Sequence, residues 1–255
     1  MGKLKLCAIA SGSNGNCYYI GTENEAIVID AGLSSRQLQL RMQDANINFS
    51  NIKAIIISHE HSDHARGARV LGNQLNVPVY MTKATYNATR KSIRPFSVRW
   101  FEANSTFQIG EFEIHAFSKQ HDAADGCSFR VVHRNRHVGV ITDLGIADEN
   151  TQREFSQCEF VFLEANYNAE MLWNGSYPTH LKERVQSHKG HLSNEQACEL
   201  VENYAGNNLH TILLSHLSAE NNSPEIALHA FEHLAEKYQV ELTYRHKPTK
   251  IYELS

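Results

Sequence analysis

At residues 52–64 the chain reads IKAIIISHEHSDH, an apolar run of strand length that passes without a break into three histidines and an aspartate. An uninterrupted apolar run of this length reads as a strand buried on both faces, which requires covering layers on either side. Side chains alternate along extended backbone, so His59 and His61 leave the strand end on one side,. Asp63 and His64 fall at the next turn, where a helix begins. A single ion could not use all four groups and keep an open catalytic position, so the spacing suits two adjacent ions ~3.5–4 Å apart.

Composition supports metal chemistry and excludes several other classes. Fifteen histidines stand against ten tyrosines and two tryptophans, and histidine is the commonest transition-metal ligand. The five cysteines (Cys7, Cys17, Cys127, Cys158 and Cys198) are odd in number and form no CxxC pair, which excludes a disulfide framework and a thiolate zinc knuckle. They read as small core residues in a reducing compartment. A formal charge of −4 excludes a general basic field for nucleic acid, although a local patch can still contact phosphates. No apolar run reaches the roughly 18 residues of a membrane span, and MGKLKLCAIASGSNGN lacks a signal-peptide pattern,. The expectation is a cytoplasmic protein with no membrane contact. At 255 residues, without repeats, linkers or low-complexity tracts, it is expected to form one domain over 1–255,. No motif encodes an oligomeric state.

The remaining pattern is one of strands and helices in two strand-rich halves. KLKLCAIA (3–10), CYYIGT and EAIVIDAG flank the turn-rich SGSNGN,. Ser34 with Gln37, and Ser193 with Gln196, are placed as capping boxes, the second opening a helix closed by Gly206,. ARGARVLGNQL reads as a helix and VPVYMT as a short strand. From Arg99 to Asp143 the chain alternates in period two, with Arg-Asn-Arg at a hairpin tip, and His115 alternates within a strand. EFVFLEA and HTILLSHLS follow as strands, then a helix from Pro224 to about Tyr238 and a terminal strand VELTY,. The fold class expected is α/β, a four-layer αββα sandwich.

HxHxDH at 59–64, DAG at 30–32, TD at 142–143 and SH at 215–216 together resemble the metallo-β-lactamase superfamily over nearly the whole chain. The resemblance implies one metal on His59, His61 and His121, a second on Asp63, His64 and His216, and Asp143 bridging them. It makes Asp30 the carboxylate that supports a ligating histidine from behind,. His121 is followed by Asp-Ala-Ala-Asp instead of the family's commoner Thr-Pro-Gly. Zinc, manganese and iron all suit these two divalent sites. Members with an aspartate at 143 instead of a cysteine are dinuclear hydrolases of thioesters, lactones and phosphodiesters, so antibiotic hydrolysis is disfavoured.

Three segments favour phosphodiesters. KGHLSNEQACELV followed by ILLSHLS is similar to an arrangement in transfer-RNA 3′-processing nucleases and cyclic phosphodiesterases, which implies His191 as general acid to the leaving oxygen,. FVFLEANY resembles a segment of the same nucleases and implies Glu164 as the partner orienting His191. The opening ASGSNGNCYYI, with VIDAGLSSRQL, EANYNAEML, YPTHLKERV and GHLSN, resembles the small bacterial exonucleases of the WalJ (YycJ) group. That resemblance implies 5′-to-3′ degradation of DNA with manganese or zinc. The mechanism expected at two such metals is attack by a metal-bridging hydroxide that Asp63 orients,. The chain has no inserted domain of the kind that larger RNA-processing relatives carry. The alternative is a small-molecule hydrolase acting on a cyclic phosphodiester, thioester or lactone, and a third reading is a non-catalytic protein with structural metals. SGSNGN reads equally as a phosphate cradle or a hairpin turn,. Lys182, Arg184 and Lys189, and Arg90, Lys91, Arg94 and Arg99, are candidate phosphate contacts or solvated surface, and Tyr167 and Tyr177 are candidate base-stacking or packing residues,.

Overall fold

The computed structural model describes residues 3–255, so the first two residues of the expected domain lie outside the described residues. Six strands come first: β1 (Leu4–Ala10), β2 (Cys17–Gly21), β3 (Ala26–Ile29), β4 (Ile52–Ile56), β5 (Val79–Met81) and β6 (Val98–Trp100). Seven more follow: β7 (Ser105–Ile109), β8 (Phe112–Ser118), β9 (Cys127–His133), β10 (Arg136–Ile141), β11 (Phe160–Glu164), β12 (Thr211–Ser215) and β13 (Gln239–Leu242). A last strand, β14 (Tyr252–Leu254), pairs antiparallel with β1. They form two seven-stranded sheets, ordered β14-β1-β2-β3-β4-β5-β6 and β13-β12-β11-β10-β9-β8-β7.

Each sheet is antiparallel at one end and parallel at the other. Strands β3 to β6 run parallel in the first sheet, and β10 to β13 in the second. Inside the parallel blocks β3, β4, β11 and β12 are buried almost throughout, and β4 shows why. Ala54 and Ile56 pack into the core between the sheets beside Tyr18, Phe129 and Phe162. Ile55 and Ile57 pack the other way, with Leu38, Met42 and Leu71. Those last three come from the helices Ser35–Asp44 and Ala68–Leu75. On the far side, Leu163 and Leu214 meet Ala197 and Val201 of the helix Asn194–Tyr204. Three cores thus separate four layers, the αββα sandwich expected, and burial of a side chain such as Ile56 or Phe162 contributes about 2 kcal/mol.

Local expectations met the structure unevenly. Ser193 and Gln196 form the full reciprocal capping box, whereas at Ser34 only half forms, because the Gln37 side chain accepts from the Ser34 hydroxyl and not from its backbone. Gly206 does follow its helix, where a Cβ would lie 2.0 Å from the Ser156 carbonyl oxygen. The α-helix from Pro224 stops at Ala230 instead of reaching Tyr238. Beyond it, Leu234, Ala235 and Lys237 bond to the carbonyls three residues back, so the helical spacing of Phe231, Leu234 and Tyr238 continues as tighter turns,. VELTY supplies β13 but is not terminal, because β14 follows it. Among the described residues no helix is long and apolar enough to cross a membrane.

Candidate metal centre and active site

The site grows from the carboxyl ends of the two parallel blocks, where open α/β sheets leave a crevice. Asp30 follows β3, His59 to His64 follow β4, Asp143 follows β10, Glu164 ends β11 and His216 follows β12. Asp30, Asp143 and His216 have φ of 65°, 59° and 57°, a left-handed conformation uncommon in residues other than glycine. It is held at Asp30 by the hydrogen bond that its backbone N–H donates to the Ile56 carbonyl (2.7 Å). At His216 the amide donates to Ser11 Oγ (2.8 Å) and the carbonyl accepts from Asn166 Nδ2 (2.7 Å). Each strand therefore ends in an abrupt reversal that carries a ligand-type side chain.

The histidines are tethered from behind. Nδ1 of His59 lies 2.9 Å from Ser58 Oγ, that of His64 2.7 Å from Asp30 Oδ2, that of His121 3.1 Å from the Gly190 carbonyl, and that of His216 2.9 Å from Glu164 Oε1. With Nδ1 engaged, Nε2 is the atom left to converge, the pattern that outer partners impose on metal-ligating imidazoles. Donor atoms of His59, His61 and His121 lie within 4.8 Å of one another, as do those of Asp63, His64, Asp143 and His216. Nε2 of His59, His121 and His216 and Oδ2 of Asp143 are buried without a hydrogen-bond partner. Buried polar atoms left so are expensive, and cations held by the two donor groups would satisfy all four, so the donor set fits divalent metals. Asn16 Nδ2 reaches His64 Nε2 (3.1 Å) but also donates to the Gly12 carbonyl (3.2 Å).

Electrostatics divides the centre. Burial, helped by His64 and Lys119, holds His59 well below its ordinary range, and burial brings His121 down to about 4. Neutral imidazole is the ligating form. Burial also pushes His64 and His216 down, but at His64 it is outweighed by Asp143, Asp30 and Asp63, and at His216 by Asp143, Asp63 and Glu164. Asp63 is brought down to about 2 because His64 and His216 outweigh its burial. The carboxylates that hold protons on those two rings would attract a dication in the protons' place.

The expected catalytic pair is brought together. Glu164, fully buried, accepts from Nδ1 of both His191 and His216 at 2.9 Å on one oxygen. Its other oxygen accepts the amides of Leu144 and Leu192 at 3.1 Å. Burial would raise its pKa, but His191 and His216 outweigh it and bring it to about 2. His191 keeps 22% of its side chain exposed, and a donor atom of it lies within 4.8 Å of donors on Asp143, Glu164 and His216. His115 stays in β8, bonded to Thr106 and Glu113, as its alternation implied.

Several supporting residues carry no motif. Ser11 and Asn16 show that SGSNGN braces the centre: besides Ser11 at His216, the Asn16 amide donates to the Asp63 carbonyl (2.8 Å). The amides of Ser11, Gly12, Gly15 and Asn16 are spent inside the protein, which gives the loop a bracing role, while Ser13 at its tip is exposed. The buried Lys119 donates to the Thr142 carbonyl (2.8 Å), next to Asp143. Asp122, where the family's commoner motif is broken, holds Arg184 through Nε (2.7 Å) and lies 3.4 Å from His121 Nε2. A cleft of about 350 Å³ beside the centre is lined by His61, Asp63, Arg90 and Arg184, among others. Of the other basic residues, Lys182 donates to the Trp173 carbonyl and Arg94 to that of Thr89. Tyr167 is buried at 4% exposure and bridges Ser193, so it packs and does not stack a base.

A model described as Beta-lactamase superfamily domain matches residues 25–216. A protein of Bacillus anthracis named Exodeoxyribonuclease YycJ is 33% identical over 227 residues, 88% of this chain and 86% of that one. Exodeoxyribonuclease WalJ of Streptococcus pneumoniae serotype 2, strain D39, is 33% identical over 228 residues, 88% of this chain and 85% of its own. The crystal structure of the metallo-beta-lactamase fold protein YhfI from Bacillus subtilis shares the fold, with a TM-score of 0.76 at 14% identity, covering 99% of this chain and all of that one. With its sandwich, its converging histidines and aspartates and these relatives, the chain belongs to the beta-lactamase superfamily and is a metal-dependent hydrolase.

Proposed function

We propose that the chain is a cytoplasmic DNA 5′-to-3′ exonuclease working as a single catalytic domain over residues 1–255, with two zinc or manganese ions. His59, His61 and His121 would hold one ion, Asp63, His64 and His216 the other, with Asp143 between them. When bound, the ions supply Lewis acidity that activates a water nucleophile near neutral pH and neutralises charge around phosphorus. Asp63, held ionised and 22% exposed, accepts a hydrogen bond from the nucleophile and orients it for in-line attack. His191 donates a proton to the departing oxygen while Glu164 fixes its ring through Nδ1,. Arg90 and Arg184 at the cleft face the phosphates that follow the scissile one,.

The observation that carries this reading is the single oxygen of Glu164 shared between His216, at the metal cluster, and the partly exposed His191. It puts a proton donor beside the centre on an element that supplies no other ligand, as hydrolysis of an ester with a poor leaving oxygen requires. The names of the two relatives supply the substrate class. Arg90 and Arg184 among the cleft's lining offer contacts to phosphate that an apolar thioester or lactone would not use,.

The test is degradation of end-labelled single- and double-stranded DNA, beside RNA of matched sequence, by manganese- or zinc-loaded protein. Stepwise shortening from the 5′ end is expected, absent in Asp63→Ala. His191→Ala should keep its metal content and lose about 10²- to 10⁴-fold in kcat, and a His191→Ala enzyme with full rates would remove that assignment. Failure on every nucleic acid together with turnover of small esters would move the substrate to the small-molecule alternative.

A further inference from the structure

A third donor cluster shares no residue with the centre described above. Cys198 and Glu202 sit one turn apart on the helix Asn194–Tyr204, so their side chains leave the same face,. His233 comes from the short 3₁₀ turn Glu232–Leu234 that packs against that face. Its Nε2 lies 2.7 Å from Glu202 Oε1 and 3.8 Å from Cys198 Sγ, and the three donor atoms lie within 4.8 Å of one another. They line a cleft of about 340 Å³ that also presents Glu195 and His229.

We infer that Cys198, Glu202 and His233 form a separate surface site for one thiophilic divalent cation such as Zn²⁺, which fastens the helix to the 3₁₀ turn. Sulfur, imidazole nitrogen and carboxylate oxygen make up three corners of a tetrahedron, and water from the cleft would complete it. Cys198 is 6% exposed and lines the cleft, so it is reachable yet shielded. Burial and the carboxylates of Glu202, Glu195 and Glu199 keep the sulfur protonated, pushing its pKa up to about 11. The same acidic surroundings draw a dication, whose charge reverses that effect. Coordination forms a metal–sulfur bond, releases the thiol proton to solvent and replaces the His233–Glu202 hydrogen bond. No oxidation state changes.

Cobalt(II) separates this site from the nitrogen- and oxygen-lined centre, because only thiolate ligation gives an intense sulfur-to-cobalt charge-transfer band in the near ultraviolet. Titration of the full chain with Co²⁺ should develop that band with a stoichiometry of one, and added Zn²⁺ should abolish it. Cys198→Ser should lack the band while keeping cobalt at the other ligands. His233→Ala should weaken the affinity read from the band by at least about tenfold. Glu202→Gln, an exposed and conservative change, should weaken it as well, which guards against misfolding of the other variants. No band under a large excess of cobalt, or a band that survives in Cys198→Ser, would overturn the inference.

Discussion

Asp30 illustrates how much of the centre rests on groups that never reach it. Its carboxylate accepts from the Ser58 amide (2.8 Å), the Ser58 hydroxyl (2.9 Å) and His64 Nδ1 (2.7 Å). Asparagine tolerates the left-handed backbone there, so Asp30→Asn removes the charge and one acceptor while sparing the turn,. Metal affinity is expected to fall about 10- to 100-fold, read by competition with a chromophoric chelator, and an unchanged affinity would show that His64 is positioned by something else. At this scale the sequence was most informative where donors are adjacent. His59 to His64 announce themselves within six residues, and Asp143 and His216 stand at the ends of recognisable strands. Lys119, Asp122 and Asn16 did not, because what each does depends on a partner 23 to 62 residues away, and no local pattern marks such a contact.

Elements set the position of His191 and of the HEHSDH loop. The capping box at Ser193 starts its helix two residues after His191, so Ser193→Ala is expected to cost about 1 kcal/mol,. Urea denaturation would measure that loss, and kcat should fall with little change in KM as His191 loosens. A tighter constraint lies in the DAG turn. A Cβ on Gly32 would sit 1.6 Å from the Asp63 carbonyl oxygen, and backbone on both sides leaves no room to give. Gly32→Ala should therefore destabilise the fold by about 3 kcal/mol and impair metal retention together, the first seen in the urea midpoint and the second by elemental analysis. Strand and helix identities were legible because period and apolar run length are local. Ends were not: the helix after Pro224 tightens where Phe231 is drawn into the core, and β14 exists because three residues, Tyr252 to Leu254, pair along the edge of β1.

At the scale of the molecule, the centre is a seam. HEHSDH belongs to the first sheet, and His121, Asp143 and His216 to the second, while SGSNGN reaches across from β1 to brace both. Ions bound there favour the folded chain by mass action, so chelation should lower stability by about 3–4 kcal/mol. For a chain of this length that is a fall of roughly 10 °C in Tm, followed by calorimetry with and without chelator, and reversed on adding metal back.

The division of ligands between the two sheets also bears on time. In an unfolded chain the four neighbours from His59 to His64 can hold an ion loosely by themselves, but the two donor groups also draw on residues 121, 143 and 216, and on the proposed assignment long loops must close first,. Tight binding can begin only when the second sheet has docked on the first, so the moment at which a refolding chain captures metal beyond the reach of a competing chelator marks the moment its two halves meet.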